Sequence, residues 1–146
     1  MKQLKLSFIY AKDIYAIILI DSNGVVVDKK VARIPKEGMN FTSDKNIYVC
    51  KSALSIAKVF VDANSDYDRM IIETNNSALI KHINEGWYEG HSDEFLDLLK
   101  VLDAIPVAYT FVHNKACVAK IYAKEKYLSK EKMVSIDDIF DTVDDE

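Results

Sequence analysis

Four neutral polar residues follow two short apolar segments of this sequence. Asn75 and Asn76 come after the segment 69–73, and His113 and Asn114 come after the segment 107–112. If the segments are neighbouring parallel strands, these side chains meet at the carboxyl edge of a sheet, where open α/β sheets bind ligands. Their amide and imidazole groups could bind phosphate or sugar hydroxyls without a metal ion. Alternatively, Asn and His serve there as helix caps and turn residues.

Cysteine and aromatic residues are the other side chains considered for chemistry. Cys50 and Cys117 lie among apolar neighbours in predicted helices, without the spacing of a metal site or a disulfide framework. We therefore expect buried, reduced thiols, no metal and no cofactor. Trp87 and Tyr88 lie in a predicted loop, where they could stack on nucleic-acid bases or contact a partner. Packing against the core is the alternative for both.

The formal charge of −4 is an average over two different regions. All 19 basic residues and 17 of the 23 acidic residues lie at or before Lys132, so this part carries +2. A charge of +2 permits a basic groove for nucleic acid but does not require one. The length suits one domain, and no apolar run is long enough to cross a membrane, so a cytoplasmic protein is expected.

The first half of the chain predicts an antiparallel meander. Residues 4–10, 14–20 and 25–34 are rich in β-branched and apolar side chains. Between the second and third of these strands lies Asn23-Gly24, a pair that favours a tight hairpin turn. Pro35 ends the third strand because it has no N–H to donate to a ladder.

The second half alternates helices and strands. Apolar residues recur at helical spacing from residue 46 to residue 61, where Asn46 or Ser43 is placed to cap the start. In the last helix, Val118, Ile121 and Tyr122 are expected to face inward. The remaining predicted elements, in order, are a covered strand at 69–73, a short helix ending before Gly86, a helix after Ser92, a strand at 107–112 and a helix at 116–127.

This order resembles the ribonuclease H-like fold over residues 4–127. The segment 71–80 looks like the family's fourth strand, where a Thr-Asp-Ser triplet leads into a short helix. Ala53-Leu54 and Ala57 resemble the small-residue pattern of its first helix, and 109–114 resembles its last strand. The resemblance implies a mixed five-stranded sheet flanked by helices, with three antiparallel strands followed by two parallel additions.

Members of that family cleave phosphodiesters with two divalent metals held by four carboxylates. The resemblance places non-acidic residues at the corresponding positions: Tyr10, Val49, Asn75 and, in the last helix, Cys117, Val118 or Lys120. It therefore implies that the conventional nuclease activity is absent.

A shifted alignment would leave two acids near the same edge. Asp13 follows the first strand and Glu73 lies two residues before Asn75, on the same face of a strand. Together they form the minimal carboxylate pair of a divergent metal-dependent nuclease. The alternative, which we favour, places Asp13 in a turn and Glu73 at a strand end, as isolated surface carboxylates.

Residues 129–146 form an acidic tail beyond a domain of residues 1–128. In it Ile136, Ile139 and Phe140 are interleaved with Asp137 and Asp138. Apolar anchors in an acidic background suit a docking peptide, which could lie on a basic groove of a partner or cover a groove on its own domain. A solvated terminus is the alternative.

Three functions are consistent with these features. The first is a catalytically inactive ribonuclease H-like protein that binds structured nucleic acid or works within a nucleic-acid-processing assembly. The second is a protein-interaction factor or inhibitor of a host enzyme, of the kind a phage encodes, which docks through the tail. The third is the divergent nuclease. We favour binding or regulation over catalysis.

Overall fold

The computed structural model describes residues 2–11, 14–34, 42–85 and 93–131. Three sets of candidate residues lie outside this part: Asp13, the pair Trp87 and Tyr88, and the tail residues Ile136, Asp137, Asp138, Ile139 and Phe140. The described elements are β1 (Lys2–Ala11), β2 (Ile14–Ile20), β3 (Val26–Arg33), α1 (Thr42–Ala63), β4 (Tyr67–Thr74), α2 (Ser77–Glu85), α3 (Asp93–Asp103), β5 (Ala108–His113) and α4 (Val118–Glu131).

The five strands form one mixed sheet in the order β3-β2-β1-β4-β5. β1 pairs with β2, and β2 with β3, in antiparallel register. β4 joins the other side of β1 in parallel, and β5 joins β4 in parallel. The predicted mixed five-stranded sheet is therefore confirmed.

The turn between β2 and β3 shows how local sequence sets the register. Gly24 has φ +83°, a left-handed conformation that side chains disfavour. Asp21 Oδ1 accepts the N–H groups of Asn23 and Val25, both at 2.9 Å. This turn holds the two strands in the hairpin that the Asn-Gly pair predicts.

Apolar side chains fill both faces of the central strands. Phe8 lies in the larger core, which includes residues of α1 and α3, whereas Ile9 lies in a smaller core that includes residues of α4. Because successive strand residues point to opposite faces, β1 is buried on both sides. Packing on both faces of the sheet therefore fixes the position of β1, which carries Ser7 of the candidate site.

Two helical predictions need correction. α1 begins at Thr42, so Asn46 lies inside the helix and does not cap it; apolar periodicity could not reveal the first turn because that turn is polar. In α4, Ile121 is 51% exposed, while Ala119 and Ala123 are buried. Small side chains let a helix approach a sheet closely, and the sequence pattern favoured bulkier ones.

Two further features concern the ends of elements. α4 continues to Glu131, past the predicted domain boundary at residue 128, and the division into domain and tail stays a prediction. Within the described residues, no helix is both long and apolar enough to span a membrane.

Candidate functional site

The carboxylate of Glu73 lies buried between the sheet and the start of α4. Glu73 is the second-last residue of β4 and is directly opposite Ser7 of β1. Only 4% of Glu73 is exposed, and Ser7 is fully buried. The prediction of a surface carboxylate at Glu73 is therefore wrong, although the residue does lie near a strand end.

Four groups contact the two oxygens of this carboxylate. Oε1 accepts the Ser7 hydroxyl and the Val118 N–H, each at 3.0 Å. Oε2 accepts the Asn114 amide at 2.8 Å and lies 3.5 Å from Lys5 Nζ. An ionised carboxylate has about four acceptor positions, so these neighbours occupy its hydrogen-bonding capacity.

Glu73 and Ser7 together cap the first turn of α4. While Glu73 accepts the N–H of Val118, the Ser7 hydroxyl oxygen accepts that of Ala119 at 3.1 Å. The first N–H groups of a helix have no partner within it, and the helix dipole favours negative charge there. Two residues of the sheet thus cap a helix that begins more than 40 positions later in the sequence.

The surroundings of Glu73 act on its pKa in opposite directions. Burial favours the neutral form and works to raise the pKa. Hydrogen bonds from Asn114, Val118 and Ser7, with the charge of Lys5, outweigh burial and hold the pKa below its ordinary value of 4.5. Glu73 is therefore an ionised, fully engaged carboxylate at neutral pH.

The four neutral polar candidates lie at the carboxyl ends of β4 and β5. His113 Nε2 lies 3.2 Å from the carbonyl oxygen of Asn75, and the Asn114 N–H donates to the Thr74 carbonyl at 3.0 Å. His113 is exposed, whereas Asn75 is 1% exposed. The sequence-based expectation that these residues come together agrees with this geometry; their role in binding stays a prediction.

Two of these residues perform the structural tasks named as the alternative. Asn76 Oδ1 accepts the Leu79 N–H at 3.0 Å, which caps α2. Asn114 Oδ1 accepts the Ala116 N–H at 3.1 Å, while its amide group donates to Glu73. His113 and Asn114 are the exposed members of the set, and the side chain of Asn114 is engaged by these two contacts.

The positions that the resemblance assigned to metal ligands are buried, except Val118, which is partly exposed. Tyr10 and Val49 belong to the larger core, at 8% and 0% exposure. Cys117 belongs to the smaller core and directly precedes α4, so it lies just outside the helix that was predicted to contain it. Burial raises the pKa of the Cys117 thiol, and it likewise raises that of Cys50. Both thiols are therefore protonated at neutral pH.

Potential metal ligands do not cluster in the described part of the chain. No group of three or more His, Cys, Asp or Glu side chains there is arranged to hold an ion.

Solved structures with a similar fold include ribonucleases H. An RNase H1 from the halophilic archaeon Halobacterium salinarum matches with a TM-score of 0.54 and 13% identity, over 77% of this chain and 86% of that one. The complex of LC11-RNase H1 with an RNA/DNA hybrid matches with a TM-score of 0.55 and 13% identity, over 79% and 87%. The N-terminal RNase H domain of a Mycobacterium tuberculosis protein matches with a TM-score of 0.53 and 10% identity, over 99% and 95%.

The sequence matches no protein-family model and no curated protein. At 10–13% identity, the structural likeness establishes the fold.

Proposed function

We propose that this chain, which has the ribonuclease H-like fold, binds structured nucleic acid without cleaving it, alone or within a nucleic-acid-processing assembly. The observation that carries the proposal is the environment of Glu73. Its two oxygens are occupied by Ser7, Val118, Asn114 and Lys5. A metal ion would have to displace some of these neighbours and so loosen the start of α4.

The residues at the expected ligand positions support the same proposal. Hydrolysis with divalent metals requires anionic oxygen ligands. Tyr10, Val49 and Cys117 supply no carboxylate and fill the cores, and Asn75 supplies a buried amide. A divergent nuclease built on Asp13 and Glu73 would depend on a carboxylate that already holds α4 in place.

The binding half of the proposal rests on the sheet edge at His113. This exposed imidazole holds its Nε2 atom 3.2 Å from the Asn75 carbonyl oxygen, and a phosphate oxygen would compete with that carbonyl for the N–H of the ring. One of the structurally similar proteins, LC11-RNase H1, was solved with an RNA/DNA hybrid. Duplexes that contain RNA are thus the first ligands to test.

A protein-interaction factor, such as a regulator or inhibitor, is the second candidate function. The observation that favours it is the exposure of apolar side chains at the start of the edge strand β3 and at the residue before it. Val25, Val26 and Val27 are 56%, 44% and 37% exposed there, and exposed edge strands can pair with another chain. A protein ligand would use this edge or the acidic tail.

A native gel with labelled RNA/DNA hybrid, duplex RNA and single strands tests the proposal, with Mg²⁺ and with EDTA. We expect at least one duplex to be retained in both conditions and no strand to be cut. His113→Ala should weaken retention by about tenfold or less, the effect of roughly one lost hydrogen bond.

Other outcomes of this gel have clear meanings. Metal-dependent cutting by the chain, lost in Glu73→Gln, would restore the nuclease hypothesis. The absence of any retention would instead favour a protein partner. Lys58→Ala is a suitable control substitution. Lys58 lies in α1 and pairs with Asp62 of the same helix, outside the sheet edge at His113.

A further inference from the structure

Helices cover the two faces of the sheet unequally. On one face, residues of α1 and α3 pack in a core with residues of all the inner strands. On the other face, α4 packs against Ile9 of β1 and against Ile14, Ala16 and Ile18 of β2. Among the described elements, none covers β5 or the part of β4 before Glu73 on this second face.

Strand register identifies the side chains of this uncovered area. Ser7 and Glu73 point toward α4, so residues two positions away along each strand point to the same side. Lys5 lies opposite Ile71, and Ile71 lies opposite Thr110. Arg69 and Val112 complete the area, which we call the β4–β5 face.

The β4–β5 face is both partly apolar and basic. Val112 is 38% exposed, Thr110 and Arg69 are exposed, and Ile71 is partly exposed. Lys5 and Arg69 bring two positive charges to this face against the one negative charge of Glu73, which lies 3.5 Å from Lys5 Nζ, so the face carries a net charge of +1. An apolar surface flanked by cations suits an amphipathic, acidic segment.

The adjacent side of α4 is basic as well. Tyr122 points toward β3, because the Lys29 ammonium lies 5.4 Å from the centre of its ring. Lys120 and Lys124 are two positions before and after Tyr122, which places them on the opposite flank of the helix, toward β4. Lys120 is buried, at 8% exposure, whereas Lys124 is partly exposed, so Lys124 is the further cation at the border of the uncovered area.

The acidic tail has the matching pattern at helical spacing. Ile136, Ile139, Phe140 and Val143 follow one another at i, i+3, i+4 and i+7, which predicts one apolar stripe. The remaining positions include all six acids of residues 133–146: Asp137, Asp138, Asp141, Asp144, Asp145 and Glu146. In a helix, Asp137 and Asp144 border the stripe.

Chain length and strand spacing decide where such a helix would lie. Only residues 132–135 separate α4 from the stripe, and connections this short join antiparallel neighbouring helices. A helix is about 10 Å wide, and two neighbouring strands spaced about 4.8 Å apart provide a surface of about that width. On one side of α4, β4 and β5 provide such a surface. On the other side of α4, only β3 remains among the described strands, and one strand is about half as wide as a helix.

We propose that residues 136–145 form an amphipathic helix that packs on the β4–β5 face, antiparallel to α4. Its apolar stripe covers Ile71 and Val112, and its bordering acids pair with cations such as Arg69. The occupant is a segment of this same chain, and the inference does not require the chain to bind nucleic acid. With this helix beside α4, helices would cover the second face of the sheet from β2 to β5.

Thiol labelling of Thr110→Cys in the full chain tests the proposal, because native Cys50 and Cys117 are buried and give a low background. We expect the added thiol to react slowly with a maleimide. The additional substitution Phe140→Asp should accelerate labelling at least about tenfold, since it removes the apolar anchor. Thr142→Asp adds the same charge outside the stripe and should leave the rate unchanged.

Arg69→Glu offers an independent variant at an exposed position that is expected to fold. It should accelerate labelling several-fold by repelling the tail. Equal labelling rates in the parent, Phe140→Asp and Arg69→Glu variants would overturn the proposal. So would protection that grows with protein concentration, which would identify the tail of a second copy as the occupant.

Discussion

Replacing Glu73 by Gln should lower the free energy of unfolding by about 2–4 kcal/mol. The amide keeps one acceptor oxygen but sets its NH2 group against donors, either those of Ser7 and Val118 or those of Asn114 and Lys5. It also removes the negative charge at the start of α4, where the helix dipole favours one. Urea denaturation measures the loss.

The matched control for this substitution is Glu85→Gln. Glu85 is the last residue of α2 and is exposed, so its loss of charge should change the free energy of unfolding by no more than about 0.5 kcal/mol. If both variants unfold at the same urea concentration as the parent, the carboxylate of Glu73 does not hold α4 on the sheet.

Introducing an acid at Val49 should destabilise the protein by about 4 kcal/mol or more instead of creating a metal ligand. Val49 is fully buried within the larger core, where an added carboxylate would lose its hydration. The expected observation for Val49→Glu is a lowered thermal midpoint that Mg²⁺ does not restore.

Val59 provides the comparison on the same helix. It is 72% exposed, so Val59→Glu adds the same group to α1 without burying it. This variant should retain stability to within about 0.5 kcal/mol. A Val49→Glu protein that is as stable as Val59→Glu, or that Mg²⁺ stabilises selectively, would show that the position remains suited to metal binding.

The sequence predicted the fold well because its signals are local or periodic. The Asn23-Gly24 turn, the apolar segments of β1 and β2 and the helical spacing in α1 each depend on residues close together in the chain. Their order then left few ways to arrange one mixed sheet. The polar first turn of α1 carried no such periodic signal, and its start was missed.

The candidate site was harder to predict because its contacts are distant in sequence. Glu73 looks like an isolated acid near the end of a strand, and its partners lie 66 positions earlier and 41 and 45 positions later. A register prediction that placed Ser7 opposite Glu73 would have been needed to find the cap. By contrast, the N–H groups that the Asn76 and Asn114 side-chain oxygens accept lie within a few residues, and this capping role was already considered.

The environment of Glu73 also gives stability a defined dependence on pH. Because its pKa in the folded state is lower than the ordinary value of 4.5, its contribution is fully present above that value. The contribution is lost as pH falls through the folded-state pKa. Glu73→Gln should therefore differ most from the parent near neutral pH and converge with it in acid.

The most direct measurement is an NMR titration of the Glu73 carboxyl carbon in the full chain, with and without Mg²⁺. If the carboxylate serves the fold, its pKa lies below 4.5 and Mg²⁺ at millimolar concentration leaves both the pKa and the chemical shift unchanged. A pKa at or above 4.5, or a shift that follows Mg²⁺ concentration, would contradict the structural role and return Glu73 to a metal site.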